Sequence, residues 1–562
     1  MREPIRDNPP PRVLKVSGAD IELGNFVVRS DDPGCSCREA SRALLAEIKG
    51  LPRRELYRYN SQPTNWQSVV YGARPVGGGA LHQGCSFDDH DLPQDWGRKF
   101  LAENGGCVYI DLDHLELCIP EVTNAWDHVA ATHAMYRIAR SALLSANEKQ
   151  RGDSKIQALV NNSDGQGNSY GSHISFLLTR RSFENIFSRK SVDLPYLASF
   201  QVSSLIYTGQ GKVGSENGSL QAAYQLSQRA DFFESLTSLP TTYRRGIVNS
   251  RDEALCGATG YTMQPDSYAR LHSIFFDSTL AQGSTLLKVG VMQIILAMIE
   301  AEQRNASLVL DDPVEAVVQI SQDVELKNCV PLASGKRLTA IELQELFLQD
   351  ARRFADEVGF DGIVPRASEI LDLWEDTLAK LRAGDVHLLA PRLDWVLKLM
   401  TLERTLDRRP QLNWGSPELK VLDLVYSSLD DDGLFWSYQK TGFTEVFVDD
   451  QRIEELTETP PDDTRAWTRA MLLRCAGDDV IDTVDWDVIS FRLRGPRYWP
   501  VTRKISLGTP LALTRADSES IFRRCENLAE VLDSINVASC QPITEDGTDS
   551  SMSACQPRES IH

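Results

Sequence analysis

Polar and apolar residues alternate from Arg12 to Ser17, which predicts a short strand, and Gly18-Ala19-Asp20-Ile21-Glu22-Leu23-Gly24 then reads as an acidic turn. Arg38 to Lys49 carries helical periodicity. From about Leu51 to Trp96 the chain holds Gly, Pro, Asn, Gln and Asp with little periodic signal, the profile of a long insert that serves as a loop or lacks order. Gly106 to Asp111 alternates as a strand, and Thr123 stands as the N-cap of a long helix through Asn147. Ile156–Asn161 and Ser175–Thr179 predict strands on either side of a Gly-, Ser- and Asn-rich turn. Helical patterns dominate from Thr339 to Leu429, among them Ala340–Val358, Glu369–Leu381 and Leu393–Leu406.

Strands and helices therefore come in blocks rather than in strict βαβ units, and the expected class is α+β. Residues 1–12 read as a disordered arm and 13–460 as the main domain, with 51–96 as its insert. After the break at Pro460-Pro461 come a small C-terminal domain over 461–536 and a polar, disordered tail over 537–562.

Composition narrows the function. The chain has 562 residues, 42% hydrophobic and 25% charged, enough for a large core, and a net charge of −20. That balance argues against nucleic acid as a partner, because phosphate binding needs clustered Lys and Arg. The 11 cysteines show no CxxC spacing, and Cys35 with Cys37 is too close for a zinc knuckle, so reduced thiols are expected. The charged, Pro-rich first residues do not read as a signal peptide, and no run of 18 uninterrupted apolar residues occurs; the best window, Val289–Ile299, is too short to span a bilayer. The expectation is a cytoplasmic protein with no membrane partner, monomeric or weakly oligomeric.

Chemistry concentrates in a few places. Asp20 and Glu22 are two apart, so on extended backbone both carboxylates share a face. Such like charges side by side call for a cation, and Mg²⁺ is the natural one; a solvated acidic turn is the plainer alternative. Tyr109-Ile110-Asp111, followed by Glu116 and by Pro120-Glu121, packs titratable groups at a strand end, with Asp111 a base or nucleophile and Glu116 a metal ligand. The run Asn161 to His173, ending Tyr170-Gly171-Ser172-His173, is small enough for close backbone approach to phosphate but lacks the P-loop ending. Arg229 and Arg251, 22 apart, could clamp phosphate oxygens or merely form surface ion pairs. Trp486 could stack on an adenine or pack in a core.

In this order the motifs resemble the Pup ligase and depupylase (PafA/Dop) family, relatives of glutamine synthetase and the carboxylate–amine ligases, from about Ser17 to Cys525. The most specific stretches are Tyr109-Ile110-Asp111, Pro120-Glu121-Val122-Thr123-Asn124, Ser169-Tyr170-Gly171-Ser172-His173, Gln228-Arg229-Ala230-Asp231, Asn249-Ser250-Arg251-Asp252-Glu253, Leu287-Lys288-Val289-Gly290 and Asp463-Thr464-Arg465-Ala466. The resemblance implies a glutamine-synthetase-like curved antiparallel sheet backed by helices, holding ATP (or ADP plus phosphate) and Mg²⁺. It implies Glu22, Tyr109 and Glu116, with Asp20 at the first acidic position, as metal ligands and Asp111 as the catalytic aspartate. Arg229, Arg251, His173 and Ser172 would hold phosphate, with Arg465 and Trp486 near the nucleotide. Glu22 and Asp111 are 89 residues apart, an interval that contains the insert, and Asp111 to Glu116 is short; both features resemble the depupylase branch. That branch cleaves the isopeptide bond between the C-terminal side chain of Pup and a substrate lysine, and deamidates a C-terminal Gln of Pup. A ligase of the same family and a non-catalytic relative are the alternatives. Departures from the family pattern are Asp20-Ile21-Glu22 at its ExE motif, Ile174-Ser175 after the histidine and Ala254-Leu255 after Arg-Asp-Glu.

Overall fold

A computed structural model describes residues 10–29, 36–52, 96–256, 267–476, 480–495 and 500–539. Most of the predicted insert (53–95), the first nine residues and the tail beyond 539 lie outside the described residues.

An eight-stranded sheet dominates the described residues. Its strands are β1 (Ser17–Val28), β2 (Leu51–Pro52), β3 (Trp96–Phe100), β4 (Cys107–Asp111), β5 (His114–Cys118), β6 (Lys155–Leu159), β7 (Ser172–Thr179) and β8 (Tyr268–Ser273). They run in the order β8-β7-β1-β5-β4-β3-β2, with β6 paired to the far end of β1, and every pairing is antiparallel. Helices α1 (Cys37–Glu47), α2 (Ala125–Glu148) and α3 (Gln282–Glu300) back one face. The mixture of an antiparallel sheet with segregated helices agrees with the α+β expectation.

Side chains alternate between the two faces of each strand. Ala19, Ile21 and Leu23 of β1, Val108 and Ile110 of β4, Leu115 and Leu117 of β5, Ile174 and Phe176 of β7 and Leu271 of β8 are all buried in one continuous core. Residues of opposite parity, Asp20 and Glu22, Tyr109 and Asp111, Glu116 and Cys118, His173 and Ser175, Arg270 and His272, therefore share the other face.

The predicted acidic turn is not a turn. Gly18 to Gly24 lies inside β1, the central strand paired on both edges, because alternation from Ala19 to Leu23 buries one face while two neighbours satisfy the backbone. Gly24 is there for contact, since a Cβ would overlap the Asn161 amide and the Tyr170 hydroxyl. Residues 12–16, expected as a strand, form an anchored extended segment instead. Lys15 is fully buried against Glu300 at the end of α3, and the amide of Val13 donates to the same carboxylate at 3.1 Å. Arg12, expected in a disordered arm, donates to Gly359 O at 2.8 Å and lies over the Phe354 ring. The cap of α2 is Asn124 rather than Thr123; its side chain accepts from Asp127 N at 2.9 Å, a bond of about 1 kcal/mol.

Helix α3 has the length and apolarity of a membrane span, yet all of it is buried among the sheet and its neighbouring helices. Beyond Pro461, helix Ala466–Ala476, a three-stranded antiparallel sheet and helices Arg515–Arg524 and Leu528–Ser539 surround a second core. That core includes Phe100, Cys107, Tyr109 and Cys118, so this unit packs onto the polar face at β3–β5. The last helix runs three residues past the predicted start of the tail, because Leu532 and Ile535 tie it to this core.

Candidate active site

The register explains how distant residues meet. Glu22 pairs with Glu116 across β1–β5, and Glu116 with Tyr109 across β5–β4, giving one cross-strand row. The adjacent row runs Cys107, Cys118, Asp20, His173. Opposed pairs in an antiparallel sheet have Cβ atoms about 5 Å apart, so carboxylates in these rows must interact. Ligand atoms of Glu22, Glu116 and His173 all lie within 4.8 Å of one another, and so do those of Asp20, Glu116 and Cys118. Gly171 makes room for the first group, since a Cβ there would overlap the Glu22 carboxylate.

Asp111 ends β4, and the two-residue turn Leu112-Asp113 follows, both with positive φ (44° and 74°), the conformation of a type I′ hairpin. Asp113 is tied down by Arg38 (2.9 Å) and through its carbonyl by Ser41, which fixes the hairpin. Asp111 thereby stays on the polar face beside Glu116. Its carboxylate, with burial the larger cause, pushes the Glu116 carboxyl well above the usual range, and Glu22 and Asp20 add to the effect. Glu116 Oε2 is buried without a hydrogen-bond partner, while Tyr109 donates to this side chain. A buried cluster of carboxylates with an orphaned oxygen suits a hard divalent cation, so Glu22, Glu116, Tyr109 and Asp20 fit such a group.

Around His173 on this floor stands a wall of guanidinium groups. Burial, then Arg229, Arg251, Arg245 and Arg270, drive the His173 imidazole well below its normal pKa, leaving it neutral and able to ligate. Arg229 is fully buried; its Nη1 donates to Tyr170 O and its Nε lacks a partner. Burial lowers it to about 10, so it stays charged at neutral pH. Arg245 donates to Ser169 O at 2.9 Å, and Arg270 to Ser175 Oγ (3.1 Å) and Glu253 (3.2 Å). The Gly-rich loop is held by Asn162, whose amide donates to the carbonyls of Tyr170 and Gly171, and by the Tyr170 ring stacked on His114 at 4.2 Å.

The structure does not gather every predicted residue. Ser172 pairs with Ile21, so its side chain belongs to the apolar face, one strand step out of phase with His173. Arg465 is bound to Glu121 at 2.8 Å and to Gly508 O, in a buried cluster with Arg469. Trp486 packs edge-on against Phe100 with ring centroids 5.3 Å apart, under the Arg469 guanidinium at 4.8 Å. These two form the seam between the C-terminal unit and the sheet. Sequence reasoning passed over Arg245, Arg270 and His272; the alternation Arg270-Leu271-His272 was the available signal, since it puts both polar groups on one face.

Comparison with known proteins agrees with this architecture. Residues 17–490 match the family described as Pup-ligase protein. The Pup deamidase/depupylase of Mycolicibacterium smegmatis is 37% identical over 406 residues, 72% of this chain and 78% of that protein. The depupylase of Acidothermus cellulolyticus is 33% identical over 77% of this chain and 82% of its own length. The Pup–protein ligase of Acidimicrobium ferrooxidans is 37% identical over 70% and 84%. The fold is that of the Pup ligase PafA solved in complex with Pup (TM-score 0.71, 24% identity, covering 93% of this chain and 92% of that one). PafA in complex with ADP superposes with a TM-score of 0.65 at 25% identity, over 85% of this chain and 97% of that one. With its motifs in register on one polar sheet face and the family match spanning most of its length, this chain belongs to the Pup-ligase family.

Proposed function

We propose that the protein is a depupylase and Pup deamidase, which uses bound ATP (or ADP plus phosphate) and Mg²⁺ to cleave the amide bond at the C-terminal Glu or Gln side chain of Pup or a Pup-like modifier. The observation that carries this reading is the juxtaposition of Asp111 with the Glu22–Glu116–Tyr109 row, beside the arginines that surround His173. The tight Asp111–His114 hairpin favours the hydrolase over the ligase, since a short interval to Glu116 is the depupylase-like form. Relatives named as depupylases and as a ligase are similarly identical to this chain, so identity alone does not separate the two.

Glu22, Glu116 and Tyr109, with Asp20, would hold the cation, which when bound supplies charge neutralisation and polarisation of an oxygen. Arg229 and Arg251 would hold phosphate oxygens, with Arg245 and Arg270 adding positive potential around neutral His173. Arg465 and Trp486 border the nucleotide region only through the seam described above. Asp111, fixed by the hairpin, either attacks the amide carbonyl to give an acyl-aspartate anhydride that water then hydrolyses, restoring the carboxylate, or takes a proton from a water that attacks the carbonyl itself. Lys or ammonia leaves as the C–N bond breaks and the amine gains a proton. Such a protein would act in the cytoplasm on Pup-modified proteins.

The test is incubation of purified protein with ATP, Mg²⁺ and either a Pup-modified protein or Gln-terminated Pup. Release of the target protein or of ammonia without net ATP consumption supports the reading. ATP consumption that depends on an added amine would establish the ligase instead.

A further inference from the structure

The guanidinium groups around His173 are not equally neutralised. Arg270 is paired with Glu253 at 3.2 Å, whereas Arg229, Arg245 and Arg251 form no ion pair among the described residues. Phosphate oxygens would account for Arg229 and Arg251, which leaves Arg245 without an anion. Arg245 opens the strand Arg245–Asn249 and is only 5% exposed. Its Nε donates to Thr241 O at 2.8 Å and its Nη2 to Ser169 O at 2.9 Å, while Nη1 has no acceptor among the described residues. Burial lowers its pKa to about 9, so it stays charged at neutral pH, and it lies close enough to Glu22 to feel that carboxylate. A buried cation held by carbonyls alone is costly until an anion joins it. The Ser169 hydroxyl, on the residue whose carbonyl Arg245 grips, is also buried without a hydrogen-bond partner. Two unfilled donors thus sit together at the edge of the site.

We propose that Arg245, with the Ser169 hydroxyl, binds the free α-carboxylate of the modifier's C-terminal Glu or Gln and so restricts cleavage to chain-terminal residues. This rests on the reading that the substrate amide belongs to the side chain of a C-terminal residue. Such a residue brings its own anion, which an internal Glu or Gln lacks. A carboxylate matches the planar guanidinium and gives charge-assisted hydrogen bonds, with Nη1 and the hydroxyl as donors. An internal residue offers a neutral peptide carbonyl at that point and leaves the buried cation uncompensated, which is discrimination by an unpaired charge. Engaging the α-carboxylate at Arg245 also keeps a second negative group away from the carboxylates of Glu22 and Glu116, where like charges repel.

The experiment compares two synthetic peptides of the Pup C-terminal segment ending in Gln, one a free acid and the other a C-terminal carboxamide. Each is titrated calorimetrically into the full chain with Mg²⁺ and ADP. Wild type should bind the acid at least about 10-fold more tightly, the scale of a buried charge-assisted pair. Arg245→Gln should bind both peptides alike, and Arg245→Lys, which keeps the charge but not the fork, should restore part of the preference. Arg251→Gln should keep the preference while weakening nucleotide binding, which separates this role from phosphate binding. Ser169→Ala removes one hydroxyl from a loop and should reduce the preference by about 3-fold, a readout that survives if Arg245→Gln does not fold. Ammonia release from the acid peptide is followed separately, so a failed hydrolase reading and a failed carboxylate site give different results. A wild type that binds the acid no better than the carboxamide, or a preference unchanged in Arg245→Gln or in Ser169→Ala, would overturn the proposal.

Discussion

Glu121→Gln offers the most quantitative test of how the C-terminal unit is fastened to the sheet. Glu121 accepts from Arg465 Nε (2.8 Å) and from Arg469 Nη1 (3.0 Å) and Nη2 (2.6 Å), and both arginines are at most 2% exposed. Burial alone would raise this carboxyl, but Arg469 and Arg465 together hold it at about 2, against 4.5 for an ordinary glutamate. A difference of that size corresponds to about 3 kcal/mol favouring the charged form. Neutralising Glu121 leaves the two guanidinium groups with uncharged acceptors only, the amide oxygen of the new side chain and the carbonyls of Gly105, Trp486 and Gly508. Uncompensated buried charge of this kind costs about 3–5 kcal/mol. The cost should be local, so hydrogen exchange is the assay: amides of Ala466–Ala476 and of the Phe100–Cys107 segment should lose protection by about two orders of magnitude, with α2 and α3 unchanged. The pH dependence has a defined sign. Because the folded pKa is depressed, the stabilisation is complete above about pH 4.5 and disappears as pH falls toward 2. Protection in Glu121→Gln within about 0.5 kcal/mol of wild type, or wild-type protection that does not fall over that acid range, would refute the reasoning.

Four further outcomes rest on the same geometry. Asp111→Asn should lower amide cleavage by about 100-fold or more while nucleotide affinity by calorimetry stays nearly intact; cleavage at the wild-type rate would dismiss Asp111 as the reacting group. Single-turnover cleavage in ¹⁸O-water separates direct attack from water activation, since only the former leaves label in the Asp111 side chain. Glu22→Ala should weaken Mg²⁺-dependent nucleotide binding by at least about 10-fold, with the Mg²⁺-free titration unchanged. Gly171→Ala should push the Glu22 carboxylate out of its row, costing about 1–3 kcal/mol of stability and reducing Mg²⁺ affinity, whereas Gly165→Ala, which meets nothing within 4 Å, should leave that affinity unaltered.

Much of this protein was legible along the chain because its signals are local. Alternation placed Asp111 at a strand end, the i, i+2 spacing put Asp20 and Glu22 on one face, and helical periodicity marked the segments at Arg38, Ala340 and Leu393. Where local signals misled, tertiary pairing was the reason. The glycines around Asp20 suggested a turn, but β5 and β7 flank the segment and make it the central strand. Ser172 sits beside His173 in sequence and on the opposite side of the sheet in space.

The order of residues thus determined the family, the α+β class and which side chains could share a face, since these depend on separations of a few residues. Only the folded sheet decided that Tyr109, Glu116 and Glu22 line up in one row, that Arg245, Arg270 and His272 join the wall, and that Arg465 is engaged by Glu121. Strand register and side-chain pairing across more than 300 residues, as between Glu121 and Arg465, depend on burying shared surfaces and neutralising charge, and neither is written in any short stretch of the chain.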